Sequence, residues 1–302
     1  MRSSRAFGFL AIAVLSIAQS ARAQQKPAFA VASVRENKSS SKENSNIPLD
    51  RTEAYSPTGG VFSARNQPLI AYILFAYKVG VSETTTPGGF MRQLPKWAVE
   101  DRFDIDARSD SPNPTKDEMR LMLQSLLEDR FKMAVHRESR RGPVFALSLV
   151  KPGKMGPQLK PHDPNSACPS TSQASSRPVP VSQVIGIWPL ACGDGEELRI
   201  SARAVRDGGR DMSIGAIASS LTGAGDYADR PIIDETGLKG TYDFVVEFAP
   251  NYAEGAKPDD LTANSGPELP EALDAQLGLR LKKQEGTATF FMIDHVEYPS
   301  AN

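Results

Sequence analysis

The same helix pattern occurs once in each half of the 302-residue chain. Thr115 and Glu118 form an S/T-x-x-E motif, and Ser265 and Glu268 repeat it. In such a capping box, the hydroxyl and the carboxylate bind free N–H groups at the start of a helix. Each box is followed by apolar residues at i, i+3, i+4 and i+7 or i+8, which predicts an amphipathic helix. The first set is Met119, Met122, Leu123, Leu126 and Leu127, and the second is Leu269, Ala272, Leu273 and Leu277.

The elements around these two helices also recur in one order. Residues 103–107 and 242–248 both alternate apolar and acidic side chains, as strands with one buried face do. We predict an α+β fold made of two tandem copies of a strand-helix-strand-helix-strand-strand module with largely antiparallel sheets. In the first copy, residues 131–136 and 144–150 are expected to pair as a hairpin across residues 140–143.

The first residues have the features of a secretory signal peptide. Arg2 and Arg5 precede an apolar run at 7–18, and 21–23 is an A-x-A cleavage site. The mature chain is expected to start near Gln24 and to be periplasmic or extracellular, with no later segment long enough to span a membrane. We divide the chain into a signal peptide (1–23), a first repeat (24–150), a Pro/Ser-rich linker (151–190) and a second repeat (191–302).

Charge and cysteine content fit an exported protein. Loss of the leader removes three arginines and no acidic residue, so the formal charge changes from −1 to −4. That charge gives no general attraction to nucleic acid. Cys168 and Cys192 are the two cysteines, and in an oxidising compartment they are expected to form one disulfide. A metal or redox pair is the alternative, but the spacing is far from C-x-x-C.

A set of short motifs lies at residues 29–34, 95–97, 102–105, 122–123, 126–127, 129–132, 136–138, 234–244, 276–279, 293–295 and 299–302. In these motifs the chain resembles an exported family from soil bacteria whose function is not established. The resemblance implies no accepted active site. Related domains occur attached to membrane peptidases of the antibiotic-sensor kind, which implies an extracytoplasmic sensing or interaction role through a separate partner.

Histidines are the natural candidates for catalysis. His136 and His295 each occur in an H-x-E pattern, and on a strand residues i and i+2 share a face. With Asp234 they define one hypothesis, a hydrolase or metal-dependent enzyme of the cell envelope, which requires at least two of the three to meet in one pocket. Surface or structural roles are the alternative for both histidines. No cofactor or metal site is predicted, and His162 is assigned no role.

The main hypothesis is a non-catalytic binding or sensing module for an envelope protein or small ligand. Asp234, Thr236 and Gly237 lie in an acidic turn with two glycines, which is typical of a shaped loop. Trp97 lies in a Pro-flanked loop, where aromatic residues form ligand platforms or cover a core. We expect these two loops to form the rim of a groove between the repeats. Two basic clusters are solvated surfaces or a polyanion site: Lys132, Arg137, Arg140 and Arg141, and Arg280, Lys282 and Lys283.

Overall fold

The computed structural model of the chain describes residues 26–50, 55–79, 89–166, 185, 188–189, 192–193, 195–201, 204–223, 229–249 and 266–299. In these ranges helices accompany three sheets, and all strand pairs within the sheets are antiparallel except one. The α+β prediction is confirmed. No helix among the described residues has the length and apolar character needed to cross a bilayer.

The first sheet has the strand order β1-β4-β3-β2. Helices α1 and α3 pack on the face of this sheet that carries Phe62, Phe103 and Ile105. All three of these side chains are fully buried. Pro68 immediately precedes α1, where its missing N–H costs nothing. The elements of this half are β1 (Val31–Glu36), β2 (Asn44–Ser45), β3 (Val61–Pro68), α1 (Leu69–Tyr77), α2 (Trp97–Glu100), β4 (Arg102–Arg108) and α3 (Lys116–Arg130).

The second sheet has the strand order β6-β10-β8-β7. Its central strand β8 was not predicted, because its sequence contains two glycines and four charged residues. The charges are accommodated in part by pairing: the Arg206 guanidinium lies 2.6 Å from the Glu247 carboxylate on β10. The elements of this half are β6 (Leu159–Pro161), β7 (Gly195–Ser201), β8 (Ala204–Ser213), α4 (Ile214–Gly223), β10 (Thr241–Phe248) and α5 (Leu269–Ala272), which continues as a π-helical turn, Leu273–Leu277.

A third sheet joins the two halves. Its long strands β5 (Ala134–Leu149) and β11 (Leu279–His295) pair antiparallel over their whole length, with Gly142 opposite Gly286 at the middle. The short strand β9 (Ile232–Asp234) runs parallel to β5 on its other side.

Each hydrophobic core contains side chains from a long strand of the other half. Phe291 and Ile293 of β11 belong to the core formed with α1 and α3. Leu147 of β5 belongs to the core formed with α4 and α5. The two halves are therefore interlocked through β5 and β11.

The first capping box is confirmed and the second is wrong. The Glu118 N–H donates to Thr115 Oγ1 at 3.1 Å, and the Thr115 N–H donates to the Glu118 carboxylate at 2.7 Å. In the second half the helix begins at Leu269, so Glu268 is itself the N-cap and forms no side-chain cap bond. A capping box would need that glutamate one turn further into the helix. Ser265 lies outside the described residues.

The predicted hairpin across residues 140–143 is wrong. Gly142 and Pro143 indicated a turn, but both lie inside the continuous strand β5. Pairing with β11 keeps this segment extended, and Pro143 is tolerated because no other strand borders β5 there among the described residues.

The segment predicted as a linker is partly integrated into the fold. Residues 159–161 form β6, which pairs with β10, and Leu159 is buried in the second core. Cys192 is buried, whereas Cys168 lies outside the described residues. Their disulfide stays a prediction.

Candidate functional site

The acidic turn after β9 is held by its own side chains. Asp234 Oδ1 accepts hydrogen bonds from the Thr236 N–H at 2.8 Å and from its hydroxyl at 2.7 Å. The Leu238 N–H then donates to Thr236 Oγ1 at 3.1 Å. Gly237 has a φ of 72° and Gly240 a φ of 87°, which favours glycine at both positions. These contacts account for the motif as a turn leading into β10.

Trp97 covers the first core instead of standing in a loop. It begins the short helix α2 and is partly buried. Its ring is stacked on Phe131, with 6.4 Å between centroids, and meets Tyr298 edge to face at 5.1 Å. Its aromatic surface is therefore largely engaged by the protein.

The two loops expected to form one groove lie at opposite ends of β5. Asp234 pairs with Leu147 near the end of that strand. Trp97 packs on Phe131, just before the strand starts at Ala134. At about 3.3 Å per residue, Ala134 and Leu147 are about 43 Å apart along the strand. The groove prediction is corrected: these loops do not share a rim.

Of the three residues of the enzyme hypothesis, Asp234 lies far from the two histidines, whereas His136 and His295 are neighbours at one end of the β5–β11 pair, where His295 pairs with Ala134. His136 and Leu147, the pairing partner of Asp234, are about 36 Å apart along β5. His136 Nδ1 hydrogen-bonds Asp294 at 2.8 Å, and His295 Nε2 hydrogen-bonds Glu297 at 2.7 Å. The side chains of His136 and His295 are about half exposed. Among the described residues, no group of three or more His, Cys, Asp and Glu is arranged to hold a metal ion.

His162, which was assigned no role, forms a buried imidazole–carboxylate pair with Asp243. Its Nδ1 lies 2.7 Å from Asp243 Oδ1, and both side chains are less than 10% exposed. A carboxylate that orients a histidine is one component of hydrolase active sites. The same Asp243 oxygen, however, also accepts the Asp211 N–H at 3.0 Å, which supports the backbone of β8.

The first sheet contains the same arrangement without a histidine. Asp104 Oδ1 accepts the Asn66 N–H at 2.8 Å and the side-chain amide of Asn37 at 2.8 Å. Asn66 and Asp211 both lie at a register irregularity and have φ values of 55° and 54°. The Asn37 side chain makes the hydrogen bond to Asp104 that the His162 side chain makes to Asp243. We therefore interpret this shared contact as structural.

A cleft of about 230 Å³ opens beside the middle of β5, and we call it the central cleft. It lies next to the position where Gly142 of β5 faces Gly286 of β11. Arginine residues and apolar residues line it. Along β5, the side chains of Arg140 and Val144 point to the sheet face that carries Ala288 and Phe290, and the side chain of Arg141 points to the opposite face. Its principal residues are Arg140, Arg141, Val144, Arg230, Ala288 and Phe290.

Two arginines of the central cleft are held between a ring and a carboxylate. Arg140 lies over the Phe290 ring at 5.8 Å and donates to Glu138 at 2.6 Å. Arg230 lies over the Phe145 ring at 5.0 Å and donates to Asp229 at 2.6 Å.

These hydrogen bonds keep both acidic partners ionised. The bond from Arg140 holds the pKa of Glu138 below its usual value, and the bond from Arg230 does the same for the pKa of Asp229. Arg141 is exposed and forms no ion pair within the described part of the chain. A third carboxylate, Glu285, also lies near these arginines, and its charge contributes to the raised pKa of Arg230.

A larger concavity of about 450 Å³ lies between the segment before β1 and helix α3. Its charged residues, Asp129 and Arg130, pair with each other at 3.0 Å. The polar groups of this surface are used within the protein, so the central cleft is the better candidate site. Sequence reasoning identified Arg140 and Arg141 as a basic cluster but missed Arg230 and Phe290, which only folding brings to the cleft.

One family matches the chain. It is described as Protein of unknown function (DUF3738), and the match covers residues 70–296. No curated protein and no solved structure matches the chain. The matched range extends from α1 through β11 and so includes most of both cores and the whole central cleft. The chain belongs to this family of proteins of unknown function, DUF3738.

Proposed function

We propose that this protein is an exported, non-catalytic binding module, built from two copies of one α+β module, that holds a ligand in the central cleft. The cleft is the observation that carries the proposal. It is lined by arginine residues and by apolar residues beside the pairing of the two long strands. Concave sites with an apolar lining and a few converging polar groups are typical of ligand binding.

The two-copy architecture is supported by equivalent contacts in the two sheets. In both sheets an aspartate on one of the two central strands accepts an N–H from a residue of positive φ on the other: Asp104 of β4 in the first and Asp243 of β10 in the second. In both sheets the residue that follows an edge strand, Asn37 or His162, forms a second hydrogen bond to this aspartate. Two unrelated modules could have the same strand order, but they would share this specific aspartate contact less readily.

A non-catalytic role is supported by the position of the candidate catalytic residues. Asp234 is separated from both histidines by most of the length of β5. His136 and His295 lie near each other, but each is hydrogen-bonded to a carboxylate, Asp294 or Glu297. Occupancy of the cleft would be sensed by a separate envelope partner.

Native mass spectrometry of the protein recovered from its own envelope fraction tests the proposal. We expect a chain that starts near Gln24, is two hydrogens lighter than the reduced form because of the Cys168–Cys192 disulfide, and carries a bound molecule. A protein with its leader intact and two free thiols would contradict export. A mature protein that carries no molecule or partner under gentle ionisation would contradict binding.

A further inference from the structure

We infer that two copies of this chain associate by antiparallel pairing of their β11 strands, which joins their two β5–β11 pairs into one continuous sheet. The inference does not depend on the ligand proposed for the central cleft. It rests on the free edge of β11 and on a pattern of charged side chains along that edge that is complementary to itself.

Strand β11 has β5 on one side and no strand on the other among the described residues. The Gly278 carbonyl faces β5, where it accepts the Val150 N–H at 2.9 Å, whereas the Ile293 N–H faces away and donates to Gln93 at 3.2 Å. Because backbone groups alternate sides along a strand, the odd-numbered residues from 281 to 289 direct their N–H and C=O groups to the free edge. None of these groups has a hydrogen-bond partner in the described part of the chain.

This free edge is regular and exposed. Residues 279–292 contain no proline, and their pairing with β5 has no register shift before Ile293. Prolines and bulges are two devices by which proteins prevent strand addition, and charged side chains are a third. The free edge has only the charged side chains, so its protection against an added strand depends on which charges an incoming strand brings opposite them. The exposed residues along it are Lys282, Lys283, Gln284, Glu285, Thr287 and Thr289.

The charged residues favour one register for a second copy of the same strand. With Gln284 opposite Gln284 of the second copy, Lys283 faces its Glu285, and Glu285 faces its Lys283. Opposite charges across a strand pair are stabilising and like charges are destabilising. Moving the two-fold axis by one residue, to Lys283 or to Glu285, places two lysines or two glutamates opposite each other. Since Lys-x-Glu is its own complement in an antiparallel pair, a second copy fits this edge better than a peptide of unrelated sequence.

Lys283 and Glu285 are available for these contacts, because both are exposed and neither forms an ion pair with a described residue. Asp229 and Arg230 lie near them but bind each other at 2.6 Å. That hydrogen bond lowers the pKa of Asp229 and raises the pKa of Arg230, and the charges of Lys283 and Glu285 make smaller contributions. Lys283 also lies over the Phe145 ring at 5.8 Å, a contact that leaves its charge unneutralised.

Sedimentation equilibrium of the mature protein over a wide range of concentrations tests the inference. We expect a reversible equilibrium between monomer and dimer that salt weakens, because the ion pairs between the copies are exposed. Lys283→Glu should weaken dimerisation at least tenfold, since two pairs of like charge replace two pairs of opposite charge. Lys282→Glu is the matched control, with unchanged dimerisation expected. It makes the same change in net charge at the neighbouring exposed residue, but on the other sheet face and opposite Gly286 of the second copy.

A charge-swapped variant separates the ion pairs from other effects of the substitution. In Lys283→Glu combined with Glu285→Lys, each glutamate again faces a lysine of the second copy, so most of the lost affinity should return. Thermal unfolding of each variant establishes that it is folded under the conditions of the measurement. Weakening in the swapped variant as large as in Lys283→Glu would contradict the proposed pairing.

Cysteine cross-linking tests the register. In Gln284→Cys the two new residues face each other as a non-hydrogen-bonded pair, with Cα atoms about 4.5 Å apart, which a disulfide can span. In Lys282→Cys the two new residues are offset by four positions, about 13 Å along the strands, which a disulfide cannot span. Under mild oxidation we expect covalent dimers of Gln284→Cys but not of Lys282→Cys or the wild-type protein.

Three results would overturn the inference. They are a wild-type protein that is monomeric at every concentration, equal dimerisation of Lys283→Glu and Lys282→Glu, and equal cross-linking at positions 284 and 282. Failure here is distinguishable from failure of the proposed function. A monomer that carries a bound molecule in native mass spectrometry would reject pairing through β11 and still support a binding module.

Discussion

At the scale of single residues, Asp104 and Asp243 support the same backbone irregularity in their respective sheets. Each carboxylate accepts an N–H from a non-glycine residue with positive φ, a conformation that L residues rarely adopt. The second group that hydrogen-bonds each carboxylate differs between the sheets. It is the Asn37 amide in the first sheet and the His162 imidazole in the second. The Asp243 carboxylate is buried, so its hydrogen bonds replace the water that it loses on folding.

We therefore predict that His162→Asn costs about 1 kcal/mol or less, because asparagine makes the equivalent contact in the first sheet. Asp243→Ala should cost about 3–5 kcal/mol, because it leaves the partners of a buried carboxylate unpaired. Urea unfolding of the two variants measures both values. Equal losses would show that His162 has a role that asparagine cannot supply.

At the scale of secondary structure elements, one local signal predicted the start of a helix correctly, and another predicted a turn that the structure does not have. The Thr115 capping box acts within four residues of sequence, and the helix starts where the motif indicates. Gly142 and Pro143 indicated a turn, yet β5 passes through both. Hydrogen bonds to β11, which lies more than a hundred residues away in sequence, outweigh this local preference.

The facing glycines at the middle of β5 and β11 allow a matched test of this element. In Gly286→Ala, the new Cβ would lie 2.7 Å from Val144 Cγ2 and 3.0 Å from Ile233 Cδ1. Since these side chains are packed, we expect a loss of about 1–3 kcal/mol in the free energy of unfolding.

Gly142→Ala is the control, because no atom of the described residues lies within 4 Å of its added Cβ. Alanine in a strand is favoured over glycine by about 0.5–1 kcal/mol, so this variant should be neutral or slightly stabilised. Comparable destabilisation of the two variants in thermal unfolding would contradict the packing described for this face.

At the scale of the whole molecule, the long strands make the two halves depend on each other. Phe291 lies on β11 but is buried in the first core, where its ring meets Tyr77 at 5.0 Å and Phe90 at 5.4 Å. Leu147 on β5 is likewise fully buried in the second core. Neither core is complete without a strand from the other half.

We predict that Phe291→Ala lowers the free energy of unfolding by about 3–5 kcal/mol and that both halves still unfold in one transition. Each half contains one tryptophan, so Trp188→Phe leaves fluorescence that reports on Trp97 alone. In Phe291→Ala combined with Trp188→Phe, the unfolding curve measured by Trp97 fluorescence should coincide with the curve measured by far-UV circular dichroism.

Leu121→Ala serves as the control because that side chain is 42% exposed on α3, and a change within about 0.5 kcal/mol is expected. Separate fluorescence and circular dichroism transitions would show that the halves unfold independently, contrary to the interlocked cores.

The sequence by itself determined the α+β class, the amphipathic helices and the start of α3, because hydrophobic periodicity and capping depend on neighbours within a few residues. Only the tertiary structure decided that β5 and β11 are continuous, that the charged segment 204–213 is a central strand, and that Arg230 meets Phe145 and borders the cleft. These features depend on pairing between distant segments, whose hydrogen bonds and burial outweigh local preferences and leave no local periodicity to read.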